Sequence, residues 1–373
     1  MDFPEFFERI ESHYDQSLPL VVYRKPNTDA VLAMLQDNNQ RYTTTNYTET
    51  GFIFAPFDSK EEVVLIPLEH SETLSVVTLE PSIQINKAKL SSIENDSAKT
   101  FHINLVEKGI ETIKQGNLRK VVLSRKEVIP VSEVNPFEIF ERMLSHYPSA
   151  FVYCFYHPKV GTWLGATPET LLKIEGHKIF TTALAGTQKY EGSMEVHWGS
   201  KEMEEQQLVT NFIVDNLKPL VNHMNLDAVQ TIKAGGVLHL RTNISGTLSS
   251  NTVDFQQILN TLHPTPAVCG VPKAEAKAFI LQHENYHREF YTGFLGELNL
   301  KEKRSRQTMR HNAENDAFTT VITVSNLYVN LRCMQLKNAQ TMIYVGGGIT
   351  KDSIPEAEWE ETVNKAQTIK SVI

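Results

Sequence analysis

The sequence is poor in cysteine and in long apolar runs, and it has no surplus of basic residues. Only three of its 373 residues are cysteine. Cys154, Cys269 and Cys333 lie far apart and form no CxxC or Cys/His spacing, which excludes a disulfide framework and a zinc-ligand pattern. A reduced, cytoplasmic setting is the expectation. The opening MDFPEFFERIESHYDQ has neither the basic region nor the apolar core of a signal peptide, and no stretch approaches the length of a membrane span. No membrane partner is expected. Lysine and arginine number 36 against 44 aspartates and glutamates, a net charge of −8, and no basic stripe is visible. That excludes a nucleic-acid partner, because phosphate contacts need clustered cations.

What is there is ordinary for a globular chain able to bury a large core: 41% hydrophobic and 21% charged residues. The first hundred residues set one short helix, FPEFFERIESHY, beside strand-like runs such as LPLVVYRK, GFIFAPF and EVVLIPL, closed by Pro, Asp or Asn. A polar stretch, NKAKLSSIENDSAKTF, then leads into an amphipathic helix expected over 98–116, with Gly116 and Asn117 as its stop. The expected division is an N-terminal strand-bearing segment, 1–97, packed onto a main unit, 98–373.

Beyond that boundary, strand-like runs follow one another through short turns, which favours antiparallel neighbours over βαβ crossovers. Helical patterns recur near 199–218, 252–262, 273–284 and 355–371. The fold class expected is α+β, an α/β sandwich of large, mainly antiparallel sheets surrounded by helices.

One stretch asks for chemistry. In YVGGGITKDSIPEAEWEET, residues 344–362, three glycines precede a helix start that Ser353, Pro355 and Glu356 are expected to cap. Glu358, Glu361 and Lys365 then share one helix face. Taken alone, that face reads as a solvated ion-pair surface.

A second helix, GSKEMEEQQLVTNFIVDNLKPL, is expected to bury Leu208, Val209, Phe212, Ile213 and Leu217, and Glu205 extends this stripe. An inward carboxylate needs a partner. Two such helices could offer Glu205 and Glu361 to one hard cation, for which Mg²⁺, with few protein carboxylates and several waters, is the candidate. Glycines 346–348 are either a plain turn or a place where bare backbone lets a ligand come close. They lack the spacing of a phosphate-binding loop.

Seven stretches occur in one order: KVVLSR (120–125), GATPETLL (165–172), LAGT (184–187), HPTPAVCGVP (263–272), ENYHREFYTGFLG (284–296), LRC (331–333) and GGGI…EWEET (346–362). Together, over roughly residues 95–372, they resemble the chorismate-utilising enzymes, and among these the isochorismate synthases. The resemblance implies two packed antiparallel sheets with helices outside, a Mg²⁺ cofactor, chorismate as substrate, and addition of water at ring carbon C2 as the C4 hydroxyl leaves.

Roles follow from the same resemblance. Lys120 is the general base that activates water, and Glu169 the general acid that protonates the departing hydroxyl. Glu205 and Glu361 are metal ligands, with Glu358 close enough to serve the metal through water or as an acid behind the ligands. Gly186, Thr187, Gly346 and Lys365 surround the ring carboxylate and the metal, while Arg332 and Tyr291 hold the enolpyruvyl carboxylate. His239 either faces the substrate or is an ordinary strand histidine with satisfied hydrogen bonds.

Sister activities separate on single residues. Lys120 and the absence of an amidotransferase signature argue against anthranilate synthase and against a glutaminase subunit, so a monomer is expected. Ala185 stands where aminodeoxychorismate synthases carry a nucleophilic lysine. Ala267 stands where salicylate synthases tend to have threonine, yet Tyr291 is a residue they favour, which keeps salicylate synthase as an alternative. Gln206, where the family commonly has histidine, leaves a catalytically silent chorismate-binding protein as another. Menaquinone and catechol siderophores are both possible destinations of the product, with menaquinone preferred.

Overall fold

Short alternating apolar runs bounded by turn residues pair into two large sheets in the computed structural model, which describes residues 1–77, 96–130, 134–249, 254–305 and 319–373. The first sheet has nine strands in the order β15 (Gly270–Val271), β7 (Lys120–Pro130), β19 (Gln340–Ile349), β18 (Cys333–Lys337), β9 (Gly161–Thr167), β8 (Phe151–His157), β1 (Leu20–Arg24), β2 (Ala30–Gln36) and β6 (Ser71–Val77). The second runs β12 (Val221–Leu226), β14 (Val237–Leu248), β11 (Lys178–Lys189), β10 (Thr170–Glu175), β17 (Thr319–Val329), β16 (Phe294–Ser305), β4 (Gly51–Ala55), β5 (Val63–Pro67) and β3 (Tyr42–Thr44), and β13 (Gln230–Ala234) pairs with β14. The described ladders are antiparallel, as the short turns imply. Strands from the first 77 residues enter both sheets: β1 pairs with β8 and β4 with β16.

Aromatic side chains join the sheets face to face. Tyr23, Phe151, Phe155 and Trp163 from the first sheet interleave with Phe52, Phe54 and Tyr328 from the second, and the Phe151 and Tyr328 rings stack 4.2 Å apart. Each such buried ring stabilises the fold by about 1.5–3 kcal/mol. Helices cover the outer faces. Those described are α1 (Phe3–Asp15), α2 (Asp96–Lys114), α3 (Pro136–His146), α4 (Ser200–Leu217), α5 (Phe255–Leu262), α6 (Lys273–His283) and α7 (Pro355–Lys370). α1, α3 and α7 lie on the first sheet, α4 and α5 on the second, and α2 and α6 on β7 through Val121 and Leu123.

The expected layered α+β architecture is therefore present, with local differences. α2 starts at Asp96, two residues before the expected 98, and the chain leaves it through Gly116 at φ +84°, a left-handed stop. The polar stretch expected to mark a boundary lies partly, at residues 86–95, outside the described residues. Ser353 does not cap α7: Ile354 occupies the cap position, and the Ser353 hydroxyl instead accepts from the Thr350 N–H at 3.0 Å. On α4, Leu208 and Phe212 are only half-buried while Gln206 and Thr210 are buried, because the Gln206 amide donates to Thr210 and, across to β14, to Thr242. Glycines 346–348 are neither a turn nor a terminal loop. They lie within β19, opposite Ser124, Leu123 and Val122 of β7.

A buried ion pair fixes the end of β7 that matters below. The Glu284 carboxylate accepts from the Ser124 N–H and hydroxyl, each at 2.8 Å, and from the Arg288 guanidinium at 2.6 and 2.8 Å. Arg288 in turn donates to the carbonyls of Val122 and Val268. Both side chains are almost fully buried, at 1% and 2% exposure, so removing one charge strands the other. Glu284→Gln is expected to cost about 3 kcal/mol, read as a lower urea midpoint with an unchanged m value. A shift below 1 kcal/mol would mean that the network is solvated or readily rearranged.

Candidate active site

The side chains singled out by the sequence converge between the two sheets, under α4 and α7. Glu169, Gly186, Thr187, Glu205, His239, Tyr291, Arg332, Gly346, Glu361 and Lys365 line one cavity. Lys120 and Glu358 stand directly behind this lining. A β-carbon on Gly348 would sit 2.6 Å from Glu205 Oε1 and 2.9 Å from Lys120 Cε, and one on Gly347 would sit 3.4 Å from Glu358 Oε2. The bare backbone of β19 is what lets these groups approach.

Period-two alternation on β7 turns Val121 and Leu123 toward the helices and Lys120 and Val122 toward the cavity. Lys120 is fully buried, and its ammonium donates to Glu205 Oε1 at 2.7 Å. Arg119 and Lys126, its basic neighbours, are exposed. Burial alone would raise the Glu205 carboxyl, but the Lys120 ammonium, with Lys365 and Lys201 beyond it, brings it below its ordinary value.

The other two carboxylates are likewise held by lysines. Lys365 donates to Glu361 at 2.7 Å and to the Gly346 carbonyl at 2.9 Å, and Lys201 donates to Glu358 at 2.8 Å. Glu358 is raised by burial first and by the Glu361 charge next, with Lys201 opposing both. Lys201 escaped the sequence reading. The signal was present, since it precedes Glu205 by one helical turn on α4, but its partner lies on a different helix.

Glu169 lines the same cavity from the short connection between β9 and β10, 2% exposed. Burial pushes its carboxyl up to about 8, against the Lys120 charge and the Thr265 hydroxyl, so it holds its proton at neutral pH.

Gly186 forms a bulge in β11 at φ +74°, where the register to β14 shifts, and its carbonyl meets His239 Nδ1 at 2.9 Å. Arg332 has only donors and faces His239 Nε2 at 2.8 Å, so that nitrogen accepts and Nδ1 carries the proton. Burial and the Arg332 charge hold this imidazole neutral, lowered to about 3. His239 lines the cavity, and its hydrogen bonds are satisfied by strand and arginine, as expected of a strand histidine.

Arg332 itself sits at φ +48°, and its second donor arm reaches the Ala234 carbonyl at 2.5 Å. It faces no carboxylate at ion-pair distance among the described residues, and burial lowers it to about 10. A buried guanidinium without a counter-ion suits an anionic ligand. Tyr291, raised by burial, stacks on Tyr344 with ring centres 5.5 Å apart and points its hydroxyl toward Gly346.

Whether the site suits a hard divalent cation can be judged from its donors. Glu205, Glu358 and Glu361 offer only oxygen, as Mg²⁺ requires, and converge on Gly347 and Gly348. Each is paired with a lysine, and among the described residues no three acids, histidines or cysteines stand at metal-holding separation. The donor chemistry is of the kind a hard divalent cation takes.

The Gln206 amide is turned to Thr210 and Thr242. It ties α4 to β14 and so secures the helix that presents Glu205.

This constellation can be compared with known proteins. Residues 31–304 match the family described as "Chorismate binding enzyme", and residues 323–371 match a second family of the same description. The chain belongs to the chorismate-binding enzymes. Among curated relatives, isochorismate synthase MenF of Escherichia coli is 30% identical over 74% of this chain and 60% of its own length. MenF of Pasteurella multocida is 28% identical over 80% and 67%. Anthranilate synthase component 1 of Lactococcus lactis is 27% identical over 81% and 63%, so the chain spans less than two thirds of some of these relatives. Among solved structures, a putative 2,3-dihydroxybenzoate-specific isochorismate synthase, DhbC from Bacillus anthracis, superposes with a TM-score of 0.76 at 22% identity, covering 98% of both chains. E. coli MenF superposes at 0.74 with 23% identity, covering 96% of this chain and 89% of its own. These superpositions place the two-sheet architecture among the folds of the family.

Proposed function

We propose that this chorismate-binding enzyme is a Mg²⁺-dependent isochorismate synthase. The observation that carries the proposal is a buried carboxyl that keeps its proton, Glu169, in the wall of a cavity that also holds the Arg332 guanidinium, with a buried lysine, Lys120, directly behind the lining and near enough for its charge to act on Glu169. Exchange of a ring hydroxyl needs both. Water attacks slowly unless a base removes its proton, and hydroxide leaves poorly unless an acid supplies one. Lys120 takes the proton as oxygen bonds to C2; Glu169 delivers its proton to the C4 oxygen, which departs as water. The ring double bonds shift, the atoms balance as an isomerisation, and the proton returns from Lys120 to Glu169 through solvent.

Arg332 orients one substrate carboxylate, and Lys365 with the Gly186–Thr187 bulge faces the other. Mg²⁺, held by Glu205, Glu361 and Glu358, would supply positive charge opposite the ring carboxylate. The cavity, about 100 Å³, is smaller than the usual small-molecule pocket of about 300–1,000 Å³. Glu361 and Lys365, at 28% and 21% exposure, are the pair best placed to yield as a ring enters.

The deciding experiment incubates purified protein with chorismate, with Mg²⁺ or with EDTA, and separates products by chromatography and mass. Isochorismate formed only with Mg²⁺ is expected. Salicylate with pyruvate would transfer the assignment to salicylate synthase and give Tyr291 a part in the elimination; unchanged chorismate would leave a binding protein. The similar proteins include both menaquinone-specific and 2,3-dihydroxybenzoate-specific enzymes, so either destination of isochorismate is compatible with the family.

A further inference from the structure

A second, larger cavity adjoins the first. It measures about 680 Å³, within the range of small-molecule pockets of about 300–1,000 Å³, and shares Arg332 and Pro168 with the catalytic cavity. Its floor is the end of α7, with Asn364 and Thr368, and the segment that follows α3. Its roof is the turn from β13 to β14 at Gly235 and Gly236. Gly235 sits at φ +62°, and a β-carbon there would lie 2.7 Å from Thr368 Cγ2, so the turn is seated directly on α7.

The charge of this cavity is one-sided. Lys189, Lys233 and Arg332 line it together with His146, and among the described residues no aspartate or glutamate lines it, although the whole chain carries −8. Two helix C-termini, of α3 and α7, end nearby and would each contribute about half a negative charge. The first of these is answered locally: Arg24 donates to the carbonyls of Leu144 and Tyr147. At the second, the Tyr147 and Ser371 hydroxyls both donate to the Thr368 carbonyl. Three side-chain cations therefore exceed what the helix ends offset. Apolar contact is also available from Pro148, Ala150 and Val237.

We propose that this cavity binds a small molecule carrying two or more carboxylates, seated between Lys189, Lys233 and the outer face of Arg332. Its chemistry does not depend on the catalytic assignment. The ligand is either the dicarboxylate substrate on its way to the inner cavity or a separate carboxylate effector, and because Arg332 belongs to both cavities, occupancy of one is felt in the other.

The test uses the full chain and citrate as the probe. Lys189 and Lys233 are exposed and lie outside the catalytic lining, so Lys189→Glu/Lys233→Glu is expected to melt as the wild type does. Calorimetry at low ionic strength should show citrate binding to the wild type and a loss of affinity of about tenfold or more in the double variant. Chorismate kinetics then separate the two sources. A fall in kcat/KM with unchanged kcat in the variant identifies substrate in transit, whereas unchanged kinetics with citrate inhibition confined to the wild type identifies an effector. Equal citrate binding by the two proteins, or none by either, overturns the proposal, and this readout stands whether or not the protein turns over chorismate.

Discussion

Lys120→Ala is expected to reduce isochorismate formation by about 10²–10⁴-fold, the usual contribution of a positioned proton-transfer group. The side chain is wholly buried and its ammonium holds Glu205, so truncation removes the proposed base, a charge and some packing at once. Two companion variants separate these effects. Lys120→Met restores most of the apolar stem, and Lys120→Arg keeps the positive charge while being unable to give up a proton at accessible pH. If Lys120 is the base, all three variants are inactive, and the methionine variant is also less stable than the wild type because it strands the Glu205 carboxylate. Substantial turnover by the arginine variant would show that the position needs only a cation.

Glu169→Gln is expected to reduce turnover to a similar extent and also to change how stability varies with pH. In the folded protein the carboxyl is raised from 4.5 to about 8. Between these values the folded state keeps a proton that the unfolded chain has released. Its contribution is therefore fully present below about pH 4.5 and is lost as pH rises toward 8. Linkage puts the loss on the order of 4 kcal/mol across that window. Glutamine carries no such proton, so the variant should gain stability relative to wild type between pH 5.5 and 8.5 in urea titrations at each pH. Wild-type kcat/KM should fall above about pH 8 as the acid ionises. Parallel stability curves for the two proteins would place the Glu169 carboxyl in water and remove it from the role of acid.

How much of this was legible before the fold depends on how far apart the interacting residues lie. Glu358, Glu361 and Lys365 share a face because of helical spacing, and Lys120 and Val122 share one because of strand alternation; both follow from backbone geometry. Strand order is a property of pairing between distant segments, so glycines 346–348 look like a turn until β7 is laid beside them. Lys201 meets Glu358 only because α4 and α7 face each other. The Ser353 cap failed for a local reason: Ile354, not Ser353, stands at the cap position, and the Ser353 hydroxyl accepts from the Thr350 N–H and meets the Glu358 carboxyl instead of a backbone N–H of α7. The Glu284–Arg288 pair has helical spacing but begins where α6 stops, so no periodicity announces it. What brought the scattered motifs together in advance was their order along the chain.

The pairing of β7 with β19 also has a consequence for how the molecule comes into being. Residues 120–130 find their partner more than two hundred positions later, at 340–349, and α7 with its carboxylates follows only after that. Such distant closure makes folding slow, because loop entropy is lost before the contact is gained. During synthesis, the strand that bears Lys120 leaves the ribosome long before β19 can flank it. A nascent chain thus carries Lys120 and Glu169 in covalent sequence but no enclosed place in which they meet until β19 and α7 have been made.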